Sequence, residues 1–183
     1  MVLTAKQRRL VRELEEICSG FGLDFYDIEQ YEPEARTPLL GLAKNHIVRG
    51  EVVMSYALID EFLSAGLCHY FFGKKRSFQT LWKTKRFKVF NYHVLETLTL
   101  LEKLSFFGAV WPVPKVIARN VRELNALRNG LAHSFLPENR RTAKPVYKGK
   151  DIFTLDGLRT FKEDRQRVYD WFKMKVYVGG EPP

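Results

Sequence analysis

Apolar residues recur every three or four positions along most of this chain, the spacing that places them on one face of an α-helix. Segments with this spacing predict helices over residues 4–18, about 39–72, 89–107, 115–135 and 154–177. Glycine and proline separate the segments, most clearly in "GAVWPVP" between the third and the fourth. We therefore predict an all-α fold, an up-down bundle of four to five helices.

Residues at the ends of these segments agree with helix boundaries. Thr4 followed by Gln7 has the pattern of a capping box, Gly73 suits a C-cap after Phe72, and Thr154 suits an N-cap. The acidic stretch before Pro38 is predicted to be a loop. The segment "PVYKGKDIF" is compatible with a small hairpin around Gly149.

Length and composition indicate one folded domain. The chain has 183 residues, of which 45% are apolar and 14% aromatic, so we expect a single domain over residues 1–183. Its core would extend from about 45 to 175, with helix 4–18 packed on it. No run of eighteen apolar residues and no signal-peptide pattern is visible, so we expect a soluble cytoplasmic protein without a membrane segment.

No pattern typical of a metal or cofactor site is present in the sequence. The two cysteines, Cys18 and Cys68, lack zinc-site spacing and are predicted to be reduced thiols. His46, His69 and His93 likewise show no metal-ligand spacing. Gly-rich phosphate loops and nucleophile elbows are also missing. We therefore expect no metal and no cofactor.

The charge distribution points to a polyanionic partner. The net charge is +9, which attracts nucleic acid from a distance. Residues 74–88 form a basic insert between the second and third predicted helices, in which aromatic residues alternate with cations. An insert of this composition can follow a nucleic-acid backbone and stack unpaired bases, or form a solvated loop whose aromatic side chains pack on the bundle. Its cations include Lys74, Lys75, Arg76, Lys83, Lys85, Arg86 and Lys88.

The predicted helix over 115–135 carries two different stripes. Positions three and four apart share a face, so one stripe is apolar except for Arg128 and the other is polar and cationic except for Ala126. The apolar stripe contains Ile117, Val121, Leu124, Leu131 and Phe135, and the polar stripe contains Arg119, Arg122, Asn129 and His133. Gly130, costly in a helix interior, predicts a close approach to the backbone.

Arg128 needs an explanation because a guanidinium keeps its charge at working pH and must be paired or face a wet cleft. Asp60 and Glu61 lie within the apolar run "SYALIDEFLSAG" of the second predicted helix, where an unpaired carboxylate is costly. We predict that one of them meets Arg128. Such a contact would be either a structural salt bridge or the support of an arginine that binds a phosphate.

The segment "LNALRNGLAHSF" resembles the R-x(4-6)-H signature of the HEPN superfamily, all-α domains found in prokaryotic toxin, defence and RNA-processing systems. Arg128 is followed directly by Asn129, and His133 stands at the four-residue spacing. The segments "VRGEVVMSYALIDEFL" and "LEKLSFFGAVWPVPKVIARNVRE" are similar to the branch that includes mannitol-operon-repressor-like proteins. The resemblance covers approximately residues 45–175, although the insert at 73–90 does not map onto the family core.

The resemblance implies a metal-independent endoribonuclease that acts as a homodimer, with the motif helices of both subunits lining one cleft. His133 would be the general acid or base. Arg128 would hold the scissile phosphate, and Asn129 would orient the histidine or the phosphate. Asp60 or Glu61 would correspond to a supporting acid. Independently of the resemblance, the composition of the insert and the polar stripe makes the insert cations with Arg119 and Arg122 the candidates for binding RNA. Products would carry 2′,3′-cyclic phosphate ends.

Two other functions are compatible with the same residues. Several members of the repressor-like branch keep the motif without a demonstrated nuclease role, so the chain could instead be a non-catalytic HEPN dimer acting as a regulator, an adaptor or a partner in a toxin-antitoxin system. A toxin of this superfamily would be expected to pair with a nucleotidyltransferase-type antitoxin. The third alternative is a nucleotide-binding module whose cationic face holds a phosphate.

Overall fold

The computed structural model describes residues 32–73, 78–132 and 145–178. Six α-helices occur in these ranges: α1 Pro33–Phe72, α2 Phe78–Leu81, α3 Lys85–Phe90, α4 Leu100–Val110, α5 Lys115–Ala132 and α6 Leu155–Lys173. Short π-helical turns, Asn91–Leu95 and Met174–Val178, extend α3 and α6. Two-residue strands, β1 Val146–Tyr147 and β2 Lys150–Asp151, form an antiparallel hairpin. The predicted all-α helical bundle is therefore confirmed.

Contacts divide the chain into two units, residues 1–47 and 48–183. The predicted helix over 4–18 lies outside the described residues. All of the packing and site geometry considered below belongs to the second unit.

Helix α1 begins earlier than the sequence predicts and ends where it predicts. The expected loop before Pro38 is wrong for residues 33–38, which are helical. The helix begins at Pro33, a position where proline is favourable because the first N–H groups of a helix have no intrahelical partner. At the other end, Gly73 adopts a φ of 81°, and its N–H donates to the carbonyl of His69 at 3.0 Å. This left-handed glycine confirms the predicted C-cap.

Helix α1 also passes a length and hydropathy test for a membrane span. Its residues 34–72 reach a mean hydropathy of 1.2 over an 18-residue window, and half of that window is buried inside the structure. The core helix of a globular domain passes the same test.

The core of the second unit is formed by α1, α4, α5, α6 and the hairpin, with aromatic rings at its centre. Phe107 of α4 is buried and packs against Trp111 and Phe172, with ring centroids 4.6 and 5.4 Å apart. Phe62 of α1 stacks on Phe172 at 6.3 Å. Helix α5 packs between α4 and α6 and also contacts β1. Three separate stretches of sequence therefore meet around Phe172.

The third predicted helix is wrong as a single element. Residues 89–107 are divided by a break at residues 96–99 between the π-helical turn and α4. Thr99 begins α4 with a capping box: its side chain accepts from the backbone N–H of Glu102, and the Glu102 carboxylate accepts from the backbone N–H of Thr99 at 2.7 Å. These hydrogen bonds lower the pKa of Glu102 below its ordinary value.

Close packing at Gly66 gives a first testable prediction. A Cβ atom at this position in α1 would lie 2.3 Å from Cε2 of buried Phe107, whereas one at Gly108 would only reach Val113 at 3.9 Å. We expect Gly66→Ala to lower the free energy of unfolding by about 1 to 3 kcal/mol because the core is overpacked. The control Gly108→Ala should be neutral or stabilising, by up to about 1 kcal/mol. Urea denaturation measures both, and equal stabilities of the two variants would contradict the packing argument.

Candidate functional site at helix α5

Helix α5 has the two faces that its spacing predicts. Ile117, Val121, Leu124 and Leu131 are buried, whereas Arg119, Arg122, Ala126 and Asn129 are exposed. Arg128 lies at the border of the two faces and is partly exposed. The cationic stripe therefore faces outward, and Arg128 is its inner edge.

Arg128 is held by an aromatic ring and an amide. Its guanidinium carbon lies 4.8 Å from the centre of the Tyr56 ring of α1, a cation–π distance. Its Nη1 also donates to Oδ1 of the adjacent Asn129 at 3.0 Å. Neither contact neutralises the positive charge. Stacking fixes the plane of the guanidinium while some of its N–H groups stay available for another acceptor.

The predicted contact of Arg128 with Asp60 or Glu61 is wrong. Asp60 accepts from Nζ of Lys103, on α4, at 2.7 Å, and Glu61 is exposed. Within residues 32–73, 78–132 and 145–178, Arg128 forms no ion pair with either carboxylate. The physical reason is the position of Lys103, which is only 5% exposed and requires a carboxylate more than the partly exposed arginine does.

Two residues that support this region were not singled out from the sequence. Tyr56 falls at an apolar position in the helical spacing of its segment, where an aromatic residue normally indicates core. Arg49, also on α1, donates from Nη1 to the backbone carbonyl of Leu131 at 2.9 Å, near the end of α5. The sequence does give a reason to expect a donor near the end of α5, because the last carbonyls of a helix lack intrahelical donors. It does not show which cation reaches them.

The structure describes only some of the remaining predicted positions of this segment. His133, like Phe135, lies outside the described residues. Gly130 is exposed, and in the part of the chain that the structure describes no atom approaches within 4 Å of where its Cβ would be. Among the described residues, the close approach predicted at Gly130 is therefore absent.

The basic insert is partly helical rather than a plain loop. Lys83, Lys85, Arg86 and Lys88 are exposed on or beside α3, while Lys74, Lys75 and Arg76 lie outside the described residues. Phe87 is buried in the core, and Trp82 remains 48% exposed and meets Phe87 in a T-shaped contact of 5.1 Å between ring centroids. One aromatic of the insert therefore packs inward, as the loop alternative expected, and another stays available at the surface.

A cavity of about 570 Å³ opens between α1, α4 and the insert. Its wall contains Trp82 and Tyr56, together with the polar groups of Glu61, Ser64, Asn91 and Glu96. The Asp60–Lys103 ion pair also belongs to the wall. Because Tyr56 lies under Arg128 and also lines the cavity, the cavity and the arginine site are neighbours.

Cys68 lines the same cavity but is chemically protected. It is buried, and this burial, with a smaller contribution from the Glu61 carboxylate, raises the pKa of its thiol to about 12. We expect alkylation of Cys68 at pH 8 to be on the order of a thousandfold slower in the folded protein than in urea, because the thiolate is the reacting species. Peptide-resolved mass spectrometry measures it. Equal rates in both states would show that the thiol is accessible and ionised.

A second polar cluster lies between α5, the hairpin and α6. The buried Asp164 carboxylate accepts from Nζ of Lys148 and from the hydroxyl of Tyr147, the latter at 3.3 Å. Lys148 also donates to Oδ1 of Asn120 at 2.9 Å. Burial and the Asp164 carboxylate raise the pKa of Tyr147 well above its ordinary value, so its hydroxyl stays protonated and acts as donor. These mutual contacts indicate a structural role.

The described residues contain no group of three or more His, Cys, Asp or Glu side chains arranged to hold a metal ion. Comparisons of the chain with protein-family models, with curated proteins and with solved structures find no match.

Proposed function

We propose that this chain is an HEPN-type RNA-binding protein that acts as a homodimer and cleaves RNA without a metal, through Arg128, Asn129 and His133. The proposal rests on the resemblance of "LNALRNGLAHSF" to the superfamily signature, and on the state of Arg128 in particular. A structural salt bridge, the alternative role for this arginine, would require a carboxylate partner. Among the described residues Arg128 meets none, and its charge is instead oriented by Tyr56 and Asn129.

The charge of Arg128 is therefore available to an external anion. Its planar fork suits two phosphate oxygens at once. Arg122 and Arg119 continue the cationic face on the exposed side of α5, and the net charge of +9 favours encounter with a polyanion. A phosphodiester bound along this face would lie beside the exposed Gly130.

The proposed reaction needs only proton transfers and charge stabilisation. His133 of one subunit takes the proton of the RNA 2′-hydroxyl, whose oxygen then attacks the adjacent phosphorus. The bond from phosphorus to the 5′-oxygen breaks, and His133 of the other subunit protonates that oxygen. Arg128 stabilises the charge on the phosphorane. The products are a 2′,3′-cyclic phosphate and a 5′-hydroxyl.

An exposed apolar stripe on α1 supports the homodimer. Val53, Met54 and Leu58 lie on one side of the helix, and Met54 is 68% exposed. Gly50 and Ala57 share this face and are exposed, so another helix could approach closely. Contiguous exposed apolar surface is typical of interaction sites. Light scattering should give twice the chain mass of 21.4 kDa, and Met54→Glu should lower that mass towards a monomer.

Cleavage of end-labelled single-stranded RNA in excess EDTA tests the proposed activity. We expect the wild-type protein to cut and to leave 2′,3′-cyclic phosphate ends, and His133→Ala to be inactive. The matched control is His93→Ala, which removes an exposed histidine of the π-helical turn Asn91–Leu95 and should leave cleavage unchanged. Intact RNA with the wild-type protein, or equal cleavage by both variants, would refute the nuclease proposal and favour a non-catalytic regulator or adaptor.

A further inference from the structure

We propose that the cavity beside Tyr56 binds one unpaired nucleobase of the RNA strand, with guanine preferred. This inference rests on the proposed RNA binding and assigns a specificity site next to Arg128. The observation that carries it is that Tyr56 is shared: its ring lies 4.8 Å from the Arg128 guanidinium carbon and also forms part of the cavity wall. A nucleotide whose phosphate binds Arg128 therefore has its base within reach of the cavity.

The size and the aromatic wall suit a base. A volume of about 570 Å³ lies in the range of small-molecule sites. Trp82 contributes an indole to the wall yet keeps 48% of its surface exposed, which places it at the mouth. Its contact with buried Phe87 fixes the ring, so that stacking on it costs little side-chain entropy. Stacking of a base on an aromatic ring contributes about 1 to 3 kcal/mol.

The charges of the wall favour a base over a phosphate. Among the described residues of the wall, three carboxylates, those of Asp60, Glu61 and Glu96, face one cation, Lys103. Asp60 already pairs with that cation at 2.7 Å. A phosphate in the cavity would meet the two other carboxylates and be repelled, whereas the neutral base of a nucleotide would not.

The hydrogen-bonding groups of the wall are mainly acceptors, which selects the donor-rich edge of a base. Glu96 accepts from Nδ2 of Asn91 through Oε1 at 2.7 Å. The second carboxylate oxygen of Glu96 and Oδ1 of Asn91 are acceptors as well, so a ligand beside them must supply hydrogen-bond donors. Guanine offers two adjacent donor groups, N1–H and N2–H₂, to one carboxylate. Cytosine and adenine offer one amino group, and uracil presents one N–H between two carbonyl oxygens that a carboxylate repels.

The rest of the strand has a cationic path to follow. Lys83, Lys85, Arg86 and Lys88 are exposed on the same segment that carries Trp82. Arg86 also lies with its guanidinium carbon 5.5 Å from the ring centre of Phe72, which anchors it at the surface. Backbone phosphates on one side of the inserted base would therefore meet this segment, and those on the other side would meet α5.

Binding of short oligonucleotides that cannot be cleaved tests the cavity separately from the activity. Fluorescein-labelled 2′-O-methyl hexauridine would be compared by anisotropy with four relatives in which one internal uridine is replaced by guanosine, adenosine, cytidine or an abasic residue. We expect the guanosine form to bind about tenfold more tightly than the uridine form, and the abasic form to bind most weakly.

Variants then assign the preference to the cavity. Trp82→Ala should weaken binding of the guanosine form by about tenfold, whereas the matched control Tyr92→Ala, at an exposed aromatic outside the cavity wall, should not. Glu96→Gln should remove most of the preference for guanosine over uridine. Equal affinity for all five oligonucleotides, or no effect of Trp82→Ala, would overturn the proposal.

Two competition experiments separate an RNA strand from a free nucleotide and from an organic cation as the ligand. Guanosine monophosphate should compete only weakly if the base is read as part of a strand, and competition as strong as that of the oligonucleotide would replace RNA by a free nucleotide as the ligand. Tight binding of spermidine that displaces the oligonucleotide would overturn the base assignment in favour of an organic cation. Guanosine preference without cleavage of ordinary RNA would refute the nuclease only, and cleavage without base preference would refute the cavity proposal only.

Discussion

Replacing Arg128 by alanine is expected to slow RNA cleavage by a factor of about a hundred to a thousand, the effect of removing one preorganised charge donor from a reacting oxyanion. The guanidinium is oriented by the Tyr56 ring and Asn129 and is not paired with a carboxylate among the described residues, so its removal takes charge from the proposed RNA site. The fold should change little, since a partly exposed cation–π contact contributes about 0.5 to 1 kcal/mol. Single-turnover cleavage and thermal denaturation of the same preparation measure both effects.

Two further variants test whether the geometry of the guanidinium or only its charge is needed. Arg128→Lys keeps the charge but loses the planar fork that meets two phosphate oxygens, so it should recover only a small part of the activity. Arg159→Ala, which removes an exposed arginine from α6, controls for the loss of one positive charge and should cleave at the wild-type rate. Wild-type activity of Arg128→Ala would exclude this residue from the reaction.

Asp164→Ala is expected to lower the free energy of unfolding by about 3 to 5 kcal/mol, the usual effect of removing one partner from a buried ion pair. The Asp164 side chain is 5% exposed and accepts from Lys148, Tyr147 and Arg167. Its loss leaves the Lys148 ammonium partly buried beside Asn120 and leaves the Tyr147 hydroxyl without its acceptor. Urea denaturation followed by circular dichroism measures the change.

The same helix supplies a matched control for this variant. Asp156 of α6 also pairs with a lysine of the hairpin, Lys150, at 2.9 Å, but its side chain is 69% exposed. Asp156→Ala should therefore cost no more than about 1 kcal/mol. Similar losses in the two variants would show that burial is not what makes the Asp164 cluster important.

The longest helices were the most predictable part of the fold. Helix α5 begins at the predicted Lys115, α6 follows the predicted N-cap Thr154, and α1 ends before the predicted C-cap Gly73. At the start of α6 and the end of α1, the spacing of apolar residues and the capping chemistry indicate the same boundary, and the glycine and prolines of "GAVWPVP" precede the start of α5. Spacing alone failed in residues 89–107, because Leu95, Leu98 and Leu101 keep a helical interval across the break. The capping-box pattern of Thr99 and Glu102 was the signal that could have placed the start of α4.

The site was less predictable because its contacts depend on which side chains meet in three dimensions. The spacing placed Arg122 and Asn129 correctly on one exposed face of α5. It could not assign the partner of Asp60, since both Arg128 and Lys103 were cations of suitable charge and only packing brings Lys103 to it. A lysine within "LLEKLSFF" was nevertheless a detectable signal, because a buried ammonium requires a carboxylate. The role of Tyr56 had no such signal.

Several partners of α1 lie far along the chain, and this separation affects how the protein folds during synthesis. Glu51 pairs with Arg165, Phe62 stacks on Phe172, and Nδ1 of His69 lies 3.2 Å from the carbonyl of Val176, 107 residues later. The part of α1 that packs on α6 therefore stays uncovered on the ribosome until α6 has emerged, although α4 and α5 emerge earlier and contact other parts of the helix. Contacts of such long sequence separation slow folding, and the nascent chain should depend on chaperones during this interval. A chain that stops before Arg165 should aggregate rather than fold.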